Sequence, residues 1–311
     1  MAFTNASGYQ NLAQGNFTPQ IFSQKVQKFF RRASVVEDIT NTDYAGEIEN
    51  FGDTVKIIKE PTITVRDYAR GQTVDTQVLA DDQITMTVDQ GSYFAFKVDD
   101  IEERQSHVNF EALATSSGAY SLKKNYDFNV LKFIYDNASD GTGTGTDASP
   151  IDGDAAVDTL ANLVSTAKKN LDRNSVPEEN RWLVSSPEFF EQLRKAGAKL
   201  SDQSVMADGG SSQIRNGKVH DRPLFGFNMY QSNAIAVSGG STAAHTFGSA
   251  GANEHVFLYG HMSAVATVNH IAKTELIRDP DSFADVVRGL HVFGRKILRS
   301  DAVQRGVITI G

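Results

Sequence analysis

Asp53-Thr-Val-Lys-Ile-Ile-Lys-Glu-Pro-Thr-Ile-Thr-Val-Arg66 alternates β-branched with polar residues, the period of a β-strand, and is interrupted only by Pro61, which a central strand would not accept. Its expected partner begins at Gln83-Ile-Thr-Met-Thr-Val88 and, after the Asp89-Gln-Gly91 break, resumes at Tyr93-Phe-Ala-Phe-Lys-Val98. Between them Tyr68 to Asp82 reads as a polar, solvated tip, with Arg66, Asp67, Arg70, Asp75, Asp81 and Asp82 in or beside it. At about 3.3 Å per residue the first strand spans roughly 40 Å, close to the width of a domain. The hairpin is therefore expected to project beyond its own core. A two-stranded ribbon is marginally stable in water, and its edges offer unpaired N–H and C=O groups to neighbours. Two readings follow: a ribbon completed by another subunit, which is favoured, and a long hairpin folded back over its own domain.

The rest of the chain bounds what such a ribbon could serve. With 311 residues it is long enough for one large or two modest domains and needs no covalent staple. Lys+Arg of 30 against Asp+Glu of 38 gives a net charge of -8, which disfavours nonspecific binding to DNA or to anionic membrane. The absence of cysteine excludes thiol nucleophiles, thiolate metal sites, iron–sulfur ligation and disulfides. There is no apolar run long enough to span a membrane, and the opening MAFTNASGYQNLAQGNF lacks the charged and apolar regions of a signal peptide. The expectation is a soluble chain made in the cytoplasm.

Ahead of the ribbon, the first 20 residues are rich in Asn, Gln, Gly and Ser and read as an extended arm. From Pro19 a helix is expected, with Ile21, Phe22, Val26, Phe29 and Phe30 on one face and Lys25, Lys28, Arg31 and Arg32 elsewhere. Membrane-surface, nucleic-acid and protein-docking roles compete for it. The last is favoured, because four cations fall short of a polybasic anchor.

Behind the ribbon, Asp99, Asp100, Glu102 and Glu103 suit the first turn of a helix running to Asn137. Tyr126, Val130, Phe133 and Ile134 give that helix an apolar stripe, while Ser116, Ser117 and Gly118 weaken its middle. Ser139-Asp-Gly-Thr-Gly-Thr-Gly-Thr-Asp-Ala-Ser-Pro150 reads as a connection between domains. Beyond it, a helix from Ala155 to Leu171 (apolar face Val157, Leu160, Leu163, Val164, Leu171) is followed by a buried strand Arg181–Ser185. A Ser186-Pro-Glu helix start comes next, so these segments suggest a second, α/β domain. Its Gly/Ser-rich loops at 207–217 and 238–253 are expected to be mobile. Strands are expected near Phe225–Tyr230, Val256–Leu258 and Ser263–Asn269, and the β-rich pieces at 284–298 and 306–310 are expected to rejoin the first domain.

Catalytic signals are thin. The GTGTGT stretch is not followed by Gly-Lys-Ser/Thr, and Gly217-Lys218 has Ser212 and Val219 where a phosphate loop wants glycine and a hydroxyl. No Gly-x-Ser-x-Gly surrounds a serine, and the glycines lack the dinucleotide-binding spacing. His255, His261 and His270 do not have metal-ligand spacing, and read as solvated or core histidines. Glu102 and Glu103 point about 100° apart on a helix and cannot jointly grip a substrate. No catalytic, cofactor-binding or metal-ligating residue is assigned.

The order of these parts carries a resemblance. Gly52-Asp-Thr-Val-Lys-Ile-Ile-Lys59 leading into Thr62-Ile-Thr-Val65, the return Asp89-Gln-Gly-Ser-Tyr-Phe-Ala-Phe-Lys-Val-Asp-Asp-Ile-Glu-Glu-Arg104, and the closing Val287-Arg-Gly-Leu-His-Val-Phe-Gly-Arg295 are similar to the major capsid (coat) proteins of tailed bacteriophages, whose fold the herpesvirus capsid floor shares. The resemblance covers nearly the whole chain and implies an α+β fold. Its implied parts are an N-terminal arm at 1–34, a peripheral domain beginning at 35–52, an extended β-hairpin loop at 53–98, and the peripheral domain's long spine helix within 99–140. A linker at 141–150, an axial α/β domain at 151–275 and a return to the peripheral domain at 276–311 complete it.

It also implies a structural role without enzymatic activity or cofactor: self-assembly in pentamers and hexamers into an icosahedral virion shell that encloses double-stranded DNA without sequence-specific binding. The extended loop would lie across the adjacent subunit through Lys56, Lys59, Arg66, Tyr68, Arg70, Asp75 and Asp81, and the arm would make contacts through Phe22, Lys25, Phe29 and Arg32. A separate scaffolding protein, a portal and a decoration protein are implied partners, with no membrane involved. Another phage structural part, such as a tail tube or decoration protein, and a soluble α/β enzyme with the 207–217 and 238–253 loops as lids, are the alternatives.

Overall fold

The computed structural model describes residues 34–44, 54–61, 63–74, 76–77, 83–99, 110–155, 159–193, 225–235, 253–280 and 282–310. In chain order the elements are α1 (Val36–Ile39), β1 (Thr54–Ile58), β2 (Gln83–Thr87), β3 (Gln90–Asp99), α2 (Phe110–Asn137), β4 (Ser139–Asp140) and β5 (Ile151–Asp152). They continue with α3 (Thr159–Arg173), β6 (Arg181–Ser185), α4 (187–193), β7 (Asn228–Gln231), β8 (Glu254–His261), β9 (Val265–Arg278), β10 (Ala284–Ile297) and β11 (Val303–Thr309). Among the described residues the result is a mixed α/β body with three sheets.

The six-stranded sheet runs β4-β11-β8-β6-β7, with β5 also paired to β11. Its centre is apolar on both faces: all five residues of β6 are buried, as are Val256, Phe257, Leu258 and Tyr259 of β8. α3 closes over the core with Leu160, Leu163, Val164, Ala167 and Leu171, the i, i+3, i+4, i+7 spacing that puts apolar groups on one helix face. Ser186 caps α4 by accepting from the Phe189 amide at 3.4 Å. Arg181, although charged, is 2% exposed and is satisfied by Asp172 at 2.7 Å and by the Pro177 and Val176 carbonyls. These placements match the expected helix, strand and helix start; Val157 lies outside the described residues.

The 139–150 stretch, expected to be a connection between domains, is part of this sheet. β4 and β5 flank it, each parallel to β11. Gly145, at φ +82, sits where an added Cβ would lie 2.0 Å from the Val307 carbonyl oxygen, so its glycine permits a close crossing over β11. Arg305 reaches back from β11 to hold the stretch, bonding Asp140 at 2.6 Å and stacking on Tyr135 at 4.5 Å. The glycine-rich run is a tightly laid crossing over β11.

The three-stranded sheet runs β3-β10-β9 and is antiparallel throughout. β3 alternates, with Phe94, Phe96 and Val98 half-buried and Tyr93, Ala95 and Lys97 exposed. Here one expectation is corrected: β3 pairs with β10 and does not continue the ribbon, because its apolar face packs toward α2. Asp99 likewise ends β3, opposite Ala284, where a first helical turn was expected; Asp100, Glu102 and Glu103 lie outside the described residues.

In α2, Tyr126, Val130, Leu131, Ile134 and Tyr135 are buried, while Phe133 is half-buried under the guanidinium of Arg295. Gly118 does not break the helix. An added Cβ there would lie 2.9 Å from Phe94, and one at Gly289 on β10 would lie 2.3 Å from it, so two glycines form a slot for the Phe94 ring. The C-terminal pieces divide: β10 joins β3 and β9, whereas β11 lies in the six-stranded sheet between β4 and β8.

Candidate functional site

The ribbon has a root and a tip of different character. At the root β1 and β2 pair over five positions, from Thr54 opposite Thr87 to Ile58 opposite Gln83. Strand alternation turns Val55, Ile57, Ile84 and Met86 inward. Met86 and Val88 are buried against Ala266, Val268 and Val292. Gly294 of β10 lies under the crossing, where an added Cβ would be 2.8 Å from the Thr87 carbonyl oxygen. The root thus belongs to the subunit's own core.

Among the described residues the ladder ends at Ile58 opposite Gln83. The expected strand through Arg66 is replaced by an extended stretch outside any strand, because Pro61 lacks a backbone donor and opens the pairing. The two arms still meet where the Thr64 amide donates to the Gln77 side chain at 3.0 Å, and a turn at Ala69–Gln72 reverses the chain with Gly71 at φ +87. Ile58 is 77% exposed, Ile63 70%, Val65 91%, Tyr68 68% and Val74 73%. A subunit that folded alone to its own advantage would not leave this much apolar surface on one loop.

Of the residues chosen from sequence, Lys56 is exposed in the middle of β1 opposite Thr85, and Lys59, Arg66, Tyr68 and Arg70 are exposed along the tip. Lys59 also lines a cavity of about 590 Å³ between the ribbon root and the segments Asn174–Pro177 and Leu298–Ala302. Asp75, Asp81, Phe22, Lys25, Phe29 and Arg32 lie outside the described residues, as do both Gly/Ser-rich loops except Asn253. The sequence reading chose mainly charged residues and missed the exposed Ile58, Ile63, Val65 and Val74. The ladder's outward members are polar apart from Ile58, so the alternation alone did not mark Ile63, Val65 and Val74 as exposed.

One cluster invites a catalytic reading. Ser186 Oγ lies 3.0 Å from His255 Nδ1, and Glu188 Oε2 lies 3.7 Å from the same nitrogen. A serine–histidine–acid relay needs the serine on one ring nitrogen and the acid on the other. Here both meet Nδ1, and Ser186 is fully buried as the cap of α4. Burial pushes the His255 imidazole below its ordinary value, against the pull of Glu188 and Asp154. The contact between Ser186 and His255 packs α4 onto β8. Among the described residues no group of three or more His, Asp or Glu side chains could hold a metal ion, and no helix is long and apolar enough to cross a membrane.

A self-sufficient core with an apolar loop it does not bury defines a class of protein: a subunit that folds by itself and is completed by contact with other chains. Solved structures place the fold among phage capsids. The chain matches a structure from Mycobacterium phage Che8 at 28% identity and a TM-score of 0.75, over 94% of this chain and 97% of that one. It matches the capsid structure of the cyanophage P-SCSP1u at 18% identity and 0.70, covering 95% and 94%. The capsid of an empty GTA particle matches at 12% identity and 0.66, covering 96% and 98%. No protein-family model matches the chain, and neither does a curated protein. The resemblance to tailed-phage major capsid proteins therefore holds for the fold of the whole chain.

Proposed function

We propose that the chain is a structural major capsid protein, whose copies assemble in pentamers and hexamers into the icosahedral shell around the double-stranded DNA of a tailed phage. The observation that carries this reading is a fold shared end to end with phage capsid chains, joined to a loop that leaves Ile63, Val65 and Tyr68 in solvent. In this reading α2 is the spine helix of the peripheral domain and the extended loop is the ribbon from Thr54 to Val88, with β3 belonging to the sheet under α2. The six-stranded sheet with α3 and α4 forms the body of the axial domain, to which β11 returns. The loop lies on an adjacent subunit through the exposed apolar residues, with Lys56, Lys59, Arg66, Tyr68 and Arg70 around them and Asp75 and Asp81 further along. The arm residues Phe22, Lys25, Phe29 and Arg32 make the remaining contact. A scaffolding protein, a portal and a decoration protein are the partners, the virion is the location, synthesis is in the host cytoplasm, and no catalytic step is required.

Electron microscopy of the purified full-length chain, with and without a candidate scaffold, tests it. Closed shells, rings or capsomers are the expected result. Persistent monomers that turn over a substrate overturn it, and tubes of uniform diameter point instead to a tail-tube role.

A further inference from the structure

The turn that joins β9 to β10 is held by its own groups. The Asp279 amide donates to the Ala284 carbonyl at 3.0 Å, and the Ala284 amide donates to the Ser282 carbonyl at 2.9 Å. The Ser282 hydroxyl donates to the Asp279 carboxylate at 2.7 Å, and the Lys97 ammonium of β3 pairs with the same carboxylate. Pro280, inside the turn, has its φ fixed by its ring. On this braced turn Phe283 is 80% exposed. An aromatic ring carried on a preformed turn loses little freedom when it is covered, and rings seated in pockets are the common anchors of protein interfaces.

The same subunit has an opening that such a ring fits. Between α2 and the three-stranded sheet lies a cavity of about 310 Å³, lined among others by Phe94, Ala119, Leu122, Gly289 and Leu290. At about 30 Å³ per water it has room for about ten heavy atoms, enough for one phenylalanine side chain. Its lining is largely apolar, and its charged members are Lys123, Lys273 and Glu37. The stretch Asp279-Pro-Asp-Ser-Phe-Ala-Asp285 carries three carboxylates and no cation, so ring and opening are matched in charge as well as in size. A subunit cannot seat its own ring. Leu290 stands about 20 Å along β10 from Ala284 at about 3.3 Å per residue, beyond the reach of a phenylalanine side chain.

We propose that Phe283 of one copy seats in the cavity under α2 of a second copy. The proposal rests on the shell-forming reading and adds to it a contact separate from the ribbon's. Ring and cavity are different surfaces of one chain, so the contact is head to tail and builds closed rings where the rotation between copies allows closure. Asp279 acts as a positioning residue, because its carboxylate joins Ser282 and Lys97 and so keeps the turn in the shape that presents the ring.

The test uses the full-length chain with 4-azidophenylalanine in place of Phe283, mixed with an equal amount of isotopically heavy chain that lacks the azide. The mixture is irradiated under assembly conditions with and without a candidate scaffold, and crosslinked peptides are mapped by mass spectrometry. Crosslinks from the light chain to residues 119–126 or 289–291 of the heavy chain are expected. Phe283→Ala should lower the assembled fraction by about tenfold, about 1.4 kcal/mol per contact, with thermal unfolding unchanged. Ala119→Trp, at an exposed helix position lining the cavity, should abolish the crosslink by filling the site. Crosslinks that map elsewhere, no crosslink between light and heavy chains, or an undiminished crosslink in the filled variant would overturn the proposal. Closed shells without the crosslink overturn this contact alone, whereas the crosslink in oligomers that never close supports the contact and overturns the shell.

Discussion

The six-stranded sheet and the 54–88 ribbon are both rich in β-branched and aromatic residues, yet they treat them in opposite ways. In β6 and the centre of β8 the side chains on both faces are covered by helices and by neighbouring strands. In the ribbon only one face is covered, and only as far as Ile58; past Pro61 the apolar residues are left in solvent. The sheet is stabilised by what this chain supplies, while the second surface of the loop is left uncovered. Local sequence preference is the same in the two regions, so what separates them is how far the rest of this chain covers them.

The comparison can be broken most severely at the sheet. Trp182→Ala removes a residue 1% exposed and should cost about 3–5 kcal/mol by chemical denaturation, enough to unfold much of the population. A loss under about 1 kcal/mol would mean that the sheet is less tightly packed than its burial indicates. Next comes the root of the ribbon: Gly294→Val forces a side chain against the Thr87 backbone and should cost about 1–3 kcal/mol. Hydrogen exchange should show faster opening at 83–88 while β6 and β8 stay protected. Uniform loosening would show that root and sheet are a single cooperative unit.

A smaller effect is expected from acid. Burial holds His255, His261 and His291 below the ordinary histidine value near 6.5. The unfolded chain then binds more protons than the folded one once the pH drops through that value, so stability should fall progressively below about pH 6.5. His255→Gln should flatten the slope, and an unchanged slope would remove His255 from its cause. Least of all should the subunit's own stability notice the tip: Ile63→Asp combined with Val65→Asp and Tyr68→Ala is expected to change it by no more than about 0.5 kcal/mol. The same variant should lower the assembled fraction by about tenfold or more, corresponding to at least about 1.4 kcal/mol per contact surface, measured by light scattering and microscopy. Full assembly would sever the link between exposure and partner contact.

Much of the fold was legible because its signals are local. The period of α3, the all-apolar run of β6, the Ser186 cap and the alternation of β1 each follow from neighbouring residues alone. The misreadings share one physical cause. Glycine in 139–150 and at Gly118 was read as a connection and as a weak point in the helix; in three dimensions it marks where β11 and Phe94 pass too closely for a Cβ. The continuation of the ribbon into β3 was misjudged because alternation gives a strand's faces but not the strand it pairs with. The Ser186–His255 contact and the cavity under α2 join residues far apart in the chain, and no spacing rule announces them.

By itself, the sequence determined that this chain mixes strands and helices, that thiol chemistry is excluded, and that one stretch carries more apolar alternation than a solvated loop needs. The order of its parts was enough to indicate a phage capsid fold. Only the tertiary structure decided where that apolar stretch stops being the subunit's own: the root is buried through Met86 and Val88 against Ala266, Val268 and Val292, whereas Ile63, Val65 and Tyr68 at the tip stay in solvent. The reason is that burial is a property of two surfaces, and a sequence lists only one of them at a time.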